Sequence, residues 1–196
     1  MLRIGTKYMC DRLRDAVISH LTKIYPSDLD ALDVKSPLIP SENIDNHSLL
    51  AISMARSDNV SEILPVAFCF ATTLESSSIR ELHPALTLED ERLIHIGHIY
   101  LIKALTKEAW SYASRSDPLC SKSQCETTRA TVCRALSTIS ASSAIKALLE
   151  GVHPSRSIDL SNLLCKGCHR RWQAHEMAEY ERIWNDLPLY FDLPPW

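Results

Sequence analysis

Residues 87–113 read TLEDERLIHIGHIYLIKALTKEAWSYA, and this stretch indicates the fold class. Apolar side chains recur every three or four positions along it, at Leu93, Ile96, Tyr100, Leu101, Ala104 and Leu105. This is the period of an α-helix. Thr87 and Asp90 have the spacing of a capping box, in which two polar side chains satisfy the first free backbone N–H groups of a helix. The stretch therefore predicts a helix that begins after Thr87 and continues toward Ala113.

Helical periodicity extends over most of the remaining chain. The other predicted helices are 2–24, with Asp11 as a candidate N-cap; 46–58, capped by Asn46; 63–74, apolar nearly all round with Pro65 in its first turn; 124–149, with an interruption at 137–143; and 169–186, ended by Pro188. Residues 25–46 contain three prolines and predict a loop, with one helical turn around Leu29. We therefore predict an all-α fold, a six- to seven-helix orthogonal bundle.

Glycine is scarce, since Gly5, Gly97, Gly151 and Gly167 are the only four in 196 residues. Loops that bind phosphate need clustered glycines, and tight hairpins favour glycine too, so this composition disfavours nucleotide-binding and all-β folds. Gly151 is placed to end a helix, and Gly167 is placed to turn the chain between two cysteines. Gly97 falls inside the predicted helix, which indicates a close packing partner there.

Charge and cysteine content limit the possible functions and the cellular compartment of the protein. Lys plus Arg is 21 and Asp plus Glu is 24, a net charge of −3, which makes a nucleic-acid partner unlikely on charge alone. Seven cysteines are an odd number for a disulfide framework, and the N-terminus shows no apolar core of a secretion signal. No apolar run reaches the length that crosses a bilayer. We expect a cytoplasmic or nuclear protein with reduced thiols and no membrane association.

The sharpest local motif is Cys165-Lys166-Gly167-Cys168, in which two thiolates three positions apart can bind one Zn²⁺. Cys120 and Cys125 form a second pair in a polar segment before another predicted helix. Together the two pairs predict a four-thiolate zinc site, a small knuckle near the C-terminus. If one of the four fails, the substitutes would be Cys133, His169 and His175.

Two alternatives to the zinc site remain open at this point. Cysteine is among the most buried residue types, so the four thiols can equally be inert core residues. Redox chemistry of a CxxC motif is less favoured, because it expects a preceding strand in a βαβ unit. If zinc is bound, four thiolates leave no open coordination position, so the metal would be structural.

Other candidate sites are weaker. His95 and His98 share a helix face at a spacing that suits a metal, but no third ligand follows at the next turn. No serine lies in a glycine-flanked nucleophile elbow, and no catalytic residues are predicted. The basic run 169–172 is too short to outweigh an acidic chain. The apolar C-terminal residues 187–196 are expected to pack back onto the bundle.

Both ends of the sequence and one internal stretch resemble a known family. Residues 2–14, LRIGTKYMCDRLR, resemble the last helices of a BTB/POZ domain. The stretch from Ala55-Arg56 through 63–68 is similar to the region C-terminal to that domain in BTB-domain-containing proteins of mushroom-forming fungi. The C-terminal end resembles the same group at Leu164, Cys165, Cys168, His175, Arg182, Trp184, Leu187, Pro188, Phe191, Leu193 and Trp196.

The resemblance implies an organisation and a function. Residues 1–24 would be a remnant of the BTB C-terminal helices, 25–46 a loop, and 47–196 a helical BTB-associated domain with a cysteine-containing segment at 120–196. The chain lacks the BTB core, so recruitment of a cullin-type ubiquitin ligase is implied only where that core is present. We expect a non-enzymatic protein–protein interaction module of an adaptor, with a protein partner. The alternatives are a small hydrolase or transferase whose site assembles only in the fold, and a zinc-dependent DNA-associated regulator.

Overall fold

The computed structural model describes residues 10–32, 44–74, 79, 86–114, 120, 122–136, 140–149 and 163–196. Within these ranges the chain forms eight α-helices and no strand, which confirms the all-α prediction. The helices are α1 (Asp11–Ile24), α2 (Ile44–Asp58), α3 (Leu64–Ala71), α4 (Leu88–Ser114), α5 (Ser123–Leu136), α6 (Ala141–Leu149), α7 (Lys166–Asn185) and α8 (Leu187–Tyr190). None of these described helices is both long enough and apolar enough to span a bilayer.

The chain divides into two compact units. The first consists of Met1–Ile99 together with Asn185–Trp196, and the second of Tyr100–Trp184. The predicted division at residues 24 and 46 stays a prediction.

Helix α3 is the centre of the first unit. All eight of its residues are buried, as its uninterrupted apolar sequence predicts, and Pro65 lies in the first turn, where a missing N–H costs no hydrogen bond. The ring of Phe68 stacks on that of Phe191, with centroids 5.3 Å apart, and Phe70 meets Tyr25 edge to face at 6.1 Å. Residues 187–196 therefore pack against the core of this unit, as predicted for the apolar terminus.

Two helices of the first unit end at residues in the left-handed conformation. Asn59 follows α2 with φ 55°, and Asp192 follows α8 with φ 52°. In each case the next backbone N–H reaches back to a carbonyl five residues earlier, from Val60 to Ala55 and from Leu193 to Pro188, both at 2.9 Å. Asn and Asp tolerate this conformation better than most residues, so the predicted stop near Asn59 is confirmed.

One half of the predicted capping box at the start of α4 is present, since the Thr87 side chain caps the helix and the Asp90 carboxylate accepts from the Thr87 hydroxyl. The backbone N–H of Asp90 donates to Thr87 Oγ1 at 3.0 Å, and the Thr87 hydroxyl donates to Asp90 Oδ2 at 2.6 Å. The other carboxylate oxygen of Asp90 accepts from Arg56 Nε at 3.0 Å. The cap therefore also ties α4 to α2, which the sequence does not indicate.

Several predicted helix boundaries need correction. Helix α1 begins at Asp11 itself, after an N-cap Cys10 whose side chain makes no capping hydrogen bond, and residues 1–9 lie outside the described part. Helix α2 begins at Ile44, so Asn46 lies within the helix. The predicted turn near Leu29 is a short 3₁₀ helix, Leu29–Ala31, capped by Asp28.

The second unit is built on α5, α6 and α7. Helix α5 ends at Leu136 and α6 begins at Ala141, within the interruption predicted at 137–143, and residues 137–139 lie outside the described part. The sequence spacing predicts one apolar stripe along and just after α7, formed by Trp172, Met177, Tyr180, Ile183, Trp184 and Leu187. All of these side chains are buried except Met177, which is 48% exposed, and Cys168 is buried on α7 as well. The indole N–H of Trp172 donates to Glu176 one turn later, which satisfies the polar group of a residue that is only 2% exposed.

Candidate metal centre

Four cysteines of the second unit meet at the N-terminal ends of two helices. Cys120 precedes α5, Cys125 lies in its first turn, Cys165 immediately precedes α7, and Cys168 lies in the first turn of α7. Their four Sγ atoms all lie within 4.8 Å of one another. The residues that the sequence pairs as two motifs thus form one cluster.

The sulfur spacing fits a single tetrahedral ion. A Zn–S bond of about 2.3 Å in a tetrahedron places neighbouring sulfurs about 3.8 Å apart. The Sγ atoms of Cys120 and Cys165 are 3.9 Å apart, although these residues are 45 positions apart in the chain. The cluster therefore needs little rearrangement to accept a metal ion.

Two hydrogen bonds between backbone and side-chain groups hold the two cysteine pairs together. The N–H of Cys165 donates to Cys125 Sγ at 3.3 Å, and Thr128 Oγ1 donates to the carbonyl of Leu163 at 3.2 Å. Both bonds join α5 to the segment that leads into α7. Such N–H groups directed at sulfur stabilise negative charge there and orient the ligand.

The helix N-terminus favours the Cys165 thiolate. The backbone N–H of Cys168 hydrogen-bonds the Cys165 sulfur, the Cys168 thiol adds a second bond, and together they lower the pKa of Cys165 from 9.0 to about 6. Cys165 thus occupies the position of an N-cap, with its sulfur where a serine or aspartate oxygen usually lies. Near neutral pH this residue is a thiolate, the form that binds metals.

The other thiols differ in environment. The Cys165 N–H favours the Cys125 thiolate, but burial and hydrogen bonds with the neighbouring thiols outweigh it and raise the pKa of Cys125. Cys125 and Cys168 are 1% and 3% exposed, whereas Cys120 and Cys165 are half-buried. A metal ion would remove the protons from all four, since the ion stabilises each thiolate directly.

Cationic side chains accompany the cluster. Arg171 Nη2 donates to Cys168 Sγ at 3.6 Å, and its guanidinium passes over Gly167. Arg129, which is 6% exposed, lies one helical turn after Cys125 on the buried face of α5. The positive charge of Arg171 beside the Cys168 sulfur offsets part of the net negative charge that four thiolates give a bound divalent metal. Arg171 was predicted only as part of the basic run 169–172, and neither arginine was linked to the cysteines, although each lies three or four residues after a cysteine in the sequence.

The predicted turn at Gly167 is wrong. Helix α7 begins at Lys166, three residues before the predicted start at His169, so Gly167 is helical. The two sulfurs of the CxxC motif meet because they occupy the N-cap and the third helical position, which lie on the same side of the first turn. Gly151, predicted to end a helix, lies outside the described residues.

The remaining metal candidates do not join the cluster. His169 and His175 are not members of it, and the side chain of Cys133 lies outside the described part. His95 is exposed, and His98 Nδ1 donates to the carbonyl of Thr72 at 2.9 Å. Among the other described cysteines, Cys10 is exposed and Cys69 is buried in α3, where burial raises its pKa to about 12.

Comparison with protein-family models, with curated proteins and with solved structures finds no match for this chain. The geometry of the cysteine cluster is therefore the main guide to function. The four cysteines could hold a metal ion.

Proposed function

We propose that the chain is a non-enzymatic protein-interaction module, corresponding to the helical region beyond the BTB core in the fungal proteins it resembles. We further propose that Zn²⁺ bound by Cys120, Cys125, Cys165 and Cys168 holds its second unit together. The observation that carries the zinc proposal is the four-sulfur cluster, in which every Sγ lies within 4.8 Å of the others.

Ligand chemistry favours zinc. Four thiolates in a tetrahedral arrangement select Zn²⁺ or iron, whereas calcium and magnesium require oxygen ligands. Zn²⁺ binds four thiolates without any change in its own oxidation state.

The ligand set supports a structural role. Four protein ligands complete the tetrahedron, so no position remains for a substrate or an activated water. Two of the four sulfurs are buried. The ion would join the segment before α5 to the start of α7, and this second unit has no other covalent or metal link among its described residues.

A groove in the first unit supports the docking role. It encloses about 450 Å³ between the end of α2, the start of α3 and the C-terminal residues. Its walls are mainly apolar, with Ala55, Val60, Leu64, Pro65 and Leu193 among them, and Trp196 lies at its edge with 42% of its surface exposed. An extended apolar segment of a partner protein fits such walls.

The metal is tested on purified protein prepared without chelator. We expect one zinc per chain by elemental mass spectrometry, and loss of that zinc in Cys168→Ser. The matched control is Cys10→Ser, which removes an exposed thiol outside the cluster. Folded wild-type protein without zinc would refute the zinc proposal, and a visible iron–thiolate absorption band would reassign the metal.

Docking is tested by affinity capture from the cells that produce the protein. Ser61→Arg places a long cation in the groove, and Leu88→Ala truncates a side chain that is 73% exposed elsewhere on the first unit. A partner that is lost with Ser61→Arg and retained with Leu88→Ala supports the groove. Retention of DNA in place of a protein would instead favour the DNA-associated alternative.

A further inference from the structure

We infer that Cys120 and Cys165 are the oxidisable pair of the cluster, and that a peroxide converts them to a disulfide and thereby releases the metal. The release step rests on the proposed zinc site. The choice of pair rests on the geometry of the sulfurs alone.

Access distinguishes this pair from the other two cysteines. Cys120 and Cys165 are half-buried, whereas Cys125 and Cys168 are almost fully enclosed at 1% and 3% exposure. A small oxidant in solvent therefore reaches Cys120 and Cys165 first, because oxidation of a thiolate requires contact with the sulfur.

The separation of the two sulfurs also permits a disulfide. The two Sγ atoms are 3.9 Å apart, and a disulfide bond is about 2.05 Å long, so each sulfur has to move about 1 Å. Cys120 precedes its helix rather than lying within it, so its side chain can shift without breaking the hydrogen bonds of α5. Cys168 is fixed in the first turn of α7, and Arg171 donates to its sulfur.

The reaction balances with hydrogen peroxide as the oxidant. One thiolate of the pair attacks a peroxide oxygen, the O–O bond breaks, and the departing hydroxide takes a proton to become water, leaving a sulfenic acid. The second thiolate attacks that sulfur, the S–O bond breaks, and the second hydroxide leaves as water after taking a proton. Two electrons pass from the two sulfurs to the peroxide, and one S–S bond forms.

Metal release follows from the loss of two ligands. A disulfide sulfur does not replace a thiolate as a zinc ligand, so Cys125 and Cys168 alone remain. The disulfide still joins the segment before α5 to the start of α7, so oxidation exchanges a metal link for a covalent one. A reducing thiol then regenerates the four-thiolate site.

The experiment treats zinc-loaded Cys10→Ser protein with one equivalent of hydrogen peroxide. A chromogenic chelator measures released zinc, and peptide mass spectrometry under non-reducing conditions maps the disulfide. We expect one zinc released per disulfide, a Cys120–Cys165 link, and recovery of zinc binding after reduction with dithiothreitol. Cys120→His keeps a zinc ligand and removes the second sulfur, so peroxide-driven release should slow by about tenfold or more.

Four other outcomes would each overturn the inference. They are a Cys165–Cys168 disulfide, oxidation to sulfinic acid without a disulfide, zinc retained after all the peroxide is consumed, and equally fast zinc release from Cys120→His. Zinc-free wild-type protein would refute the proposed zinc site instead. In that event the mapped disulfide of the peroxide-treated protein still decides whether Cys120 and Cys165 are the pair.

Discussion

The ring of Phe191 lies directly against the Cα of Gly97, in the space that a β-carbon would occupy. A Cβ built on Gly97 would overlap two ring carbons and lie 2.9 Å from Cζ, a distance that real side chains do not adopt. Phe191 is fully buried and also stacks on Phe68. The glycine inside α4 is thus required by the C-terminal residues, because their fully buried Phe191 packs onto the helix surface at this position.

Gly97→Ala should destabilise the protein despite improving the helix propensity of α4. Overpacking of a filled core costs about 1–3 kcal/mol, whereas replacing a helical glycine by alanine gains about 1 kcal/mol. We expect a net decrease of about 1 kcal/mol in the free energy of unfolding, measured by urea denaturation.

Gly167→Ala is the matched control, because the nearest atom to a Cβ at Gly167 is Arg171 Nη1 at 3.4 Å, an ordinary contact. It should leave stability unchanged or raise it slightly. In a Phe191→Leu background the cost of Gly97→Ala should shrink. An equal cost in both backgrounds would show that the ring does not set the requirement for glycine.

A helix with a buried apolar stripe could be located from the sequence. The residue at which the helix starts could be predicted less well. The stripe of α7 follows from its spacing except at Met177, which is exposed, but the helix starts three residues before the predicted start. The reason is physical: a cysteine thiolate, Cys165, takes the N-cap position that sequence preferences reserve for serine, threonine, aspartate and asparagine. The start of α4 was predictable because Thr87 and Asp90 are residues with strong capping preferences.

The four sulfurs could be predicted as one group from motif spacing, but their arrangement could not. Cys125 and Cys165 are brought together by a bond from the Cys165 backbone N–H, which depends on how the segment before α7 packs on α5. The ion pair from Arg56 to Asp90 spans 34 residues and was missed for the same reason. Contacts between distant segments leave no local pattern in the sequence.

Arg56→Leu should destabilise the first unit. Asp90 is 3% exposed, and its carboxylate would lose its one charged partner among the described residues while staying buried. Because the Arg56 side chain is 40% exposed, solvent screens part of the interaction, and we expect a loss of about 2 kcal/mol in urea denaturation.

The control for Arg56 is Arg92→Leu, which removes an exposed pair with Glu89 one turn away on α4. Exposed pairs of this kind contribute about 0.5 kcal/mol or less. Equal effects of the two substitutions would contradict a special role for the Arg56–Asp90 pair.

Arg171→Gln should weaken binding of the proposed zinc ion without abolishing it. Its guanidinium donates to Cys168 Sγ, and losing such a neighbour of a metal ligand typically costs about tenfold in affinity. Chelator competition measures the change. Arg170→Gln alters an exposed charge of the same helix turn and should change affinity by about twofold or less. Equal losses in both variants would mean that net charge, and not the contact with sulfur, sets the affinity.

Removal of the proposed zinc ion should loosen the second unit and leave the first intact. Structural zinc contributes folding free energy, so a strong chelator should expose the backbone amides at the starts of α5 and α7 to hydrogen exchange. Helix α3 of the first unit, with all eight residues buried, should keep its protection. Readdition of zinc should restore the original pattern. Protection that is unchanged at α7 after complete metal removal would show that the cluster is dispensable for this fold.

The lowered pKa of Cys165 makes the metal-free second unit sensitive to acid. The folded-state pKa of about 6 lies below the ordinary thiol value of 9.0, so the folded state favours the thiolate. The resulting stabilisation is fully present above about pH 9 and is lost as the pH falls through 6.

Iodoacetamide alkylates only the thiolate, so the alkylation rate of Cys165 in metal-free protein measures its thiolate fraction. Peptide mass spectrometry follows this rate from about pH 5 to 10. We expect the half-maximal rate near pH 6 in the folded protein and near about pH 8.5 to 9, the ordinary thiol value, in guanidinium.

The largest cause of the pKa shift of Cys165 is the backbone N–H of Cys168, so Cys168→Ser should retain most of the shift. Cys168→Pro removes that N–H at a position in the first helical turn where proline is tolerated, and should move the midpoint toward the unfolded value. Identical midpoints in the serine and proline variants would show that a group other than this N–H stabilises the thiolate.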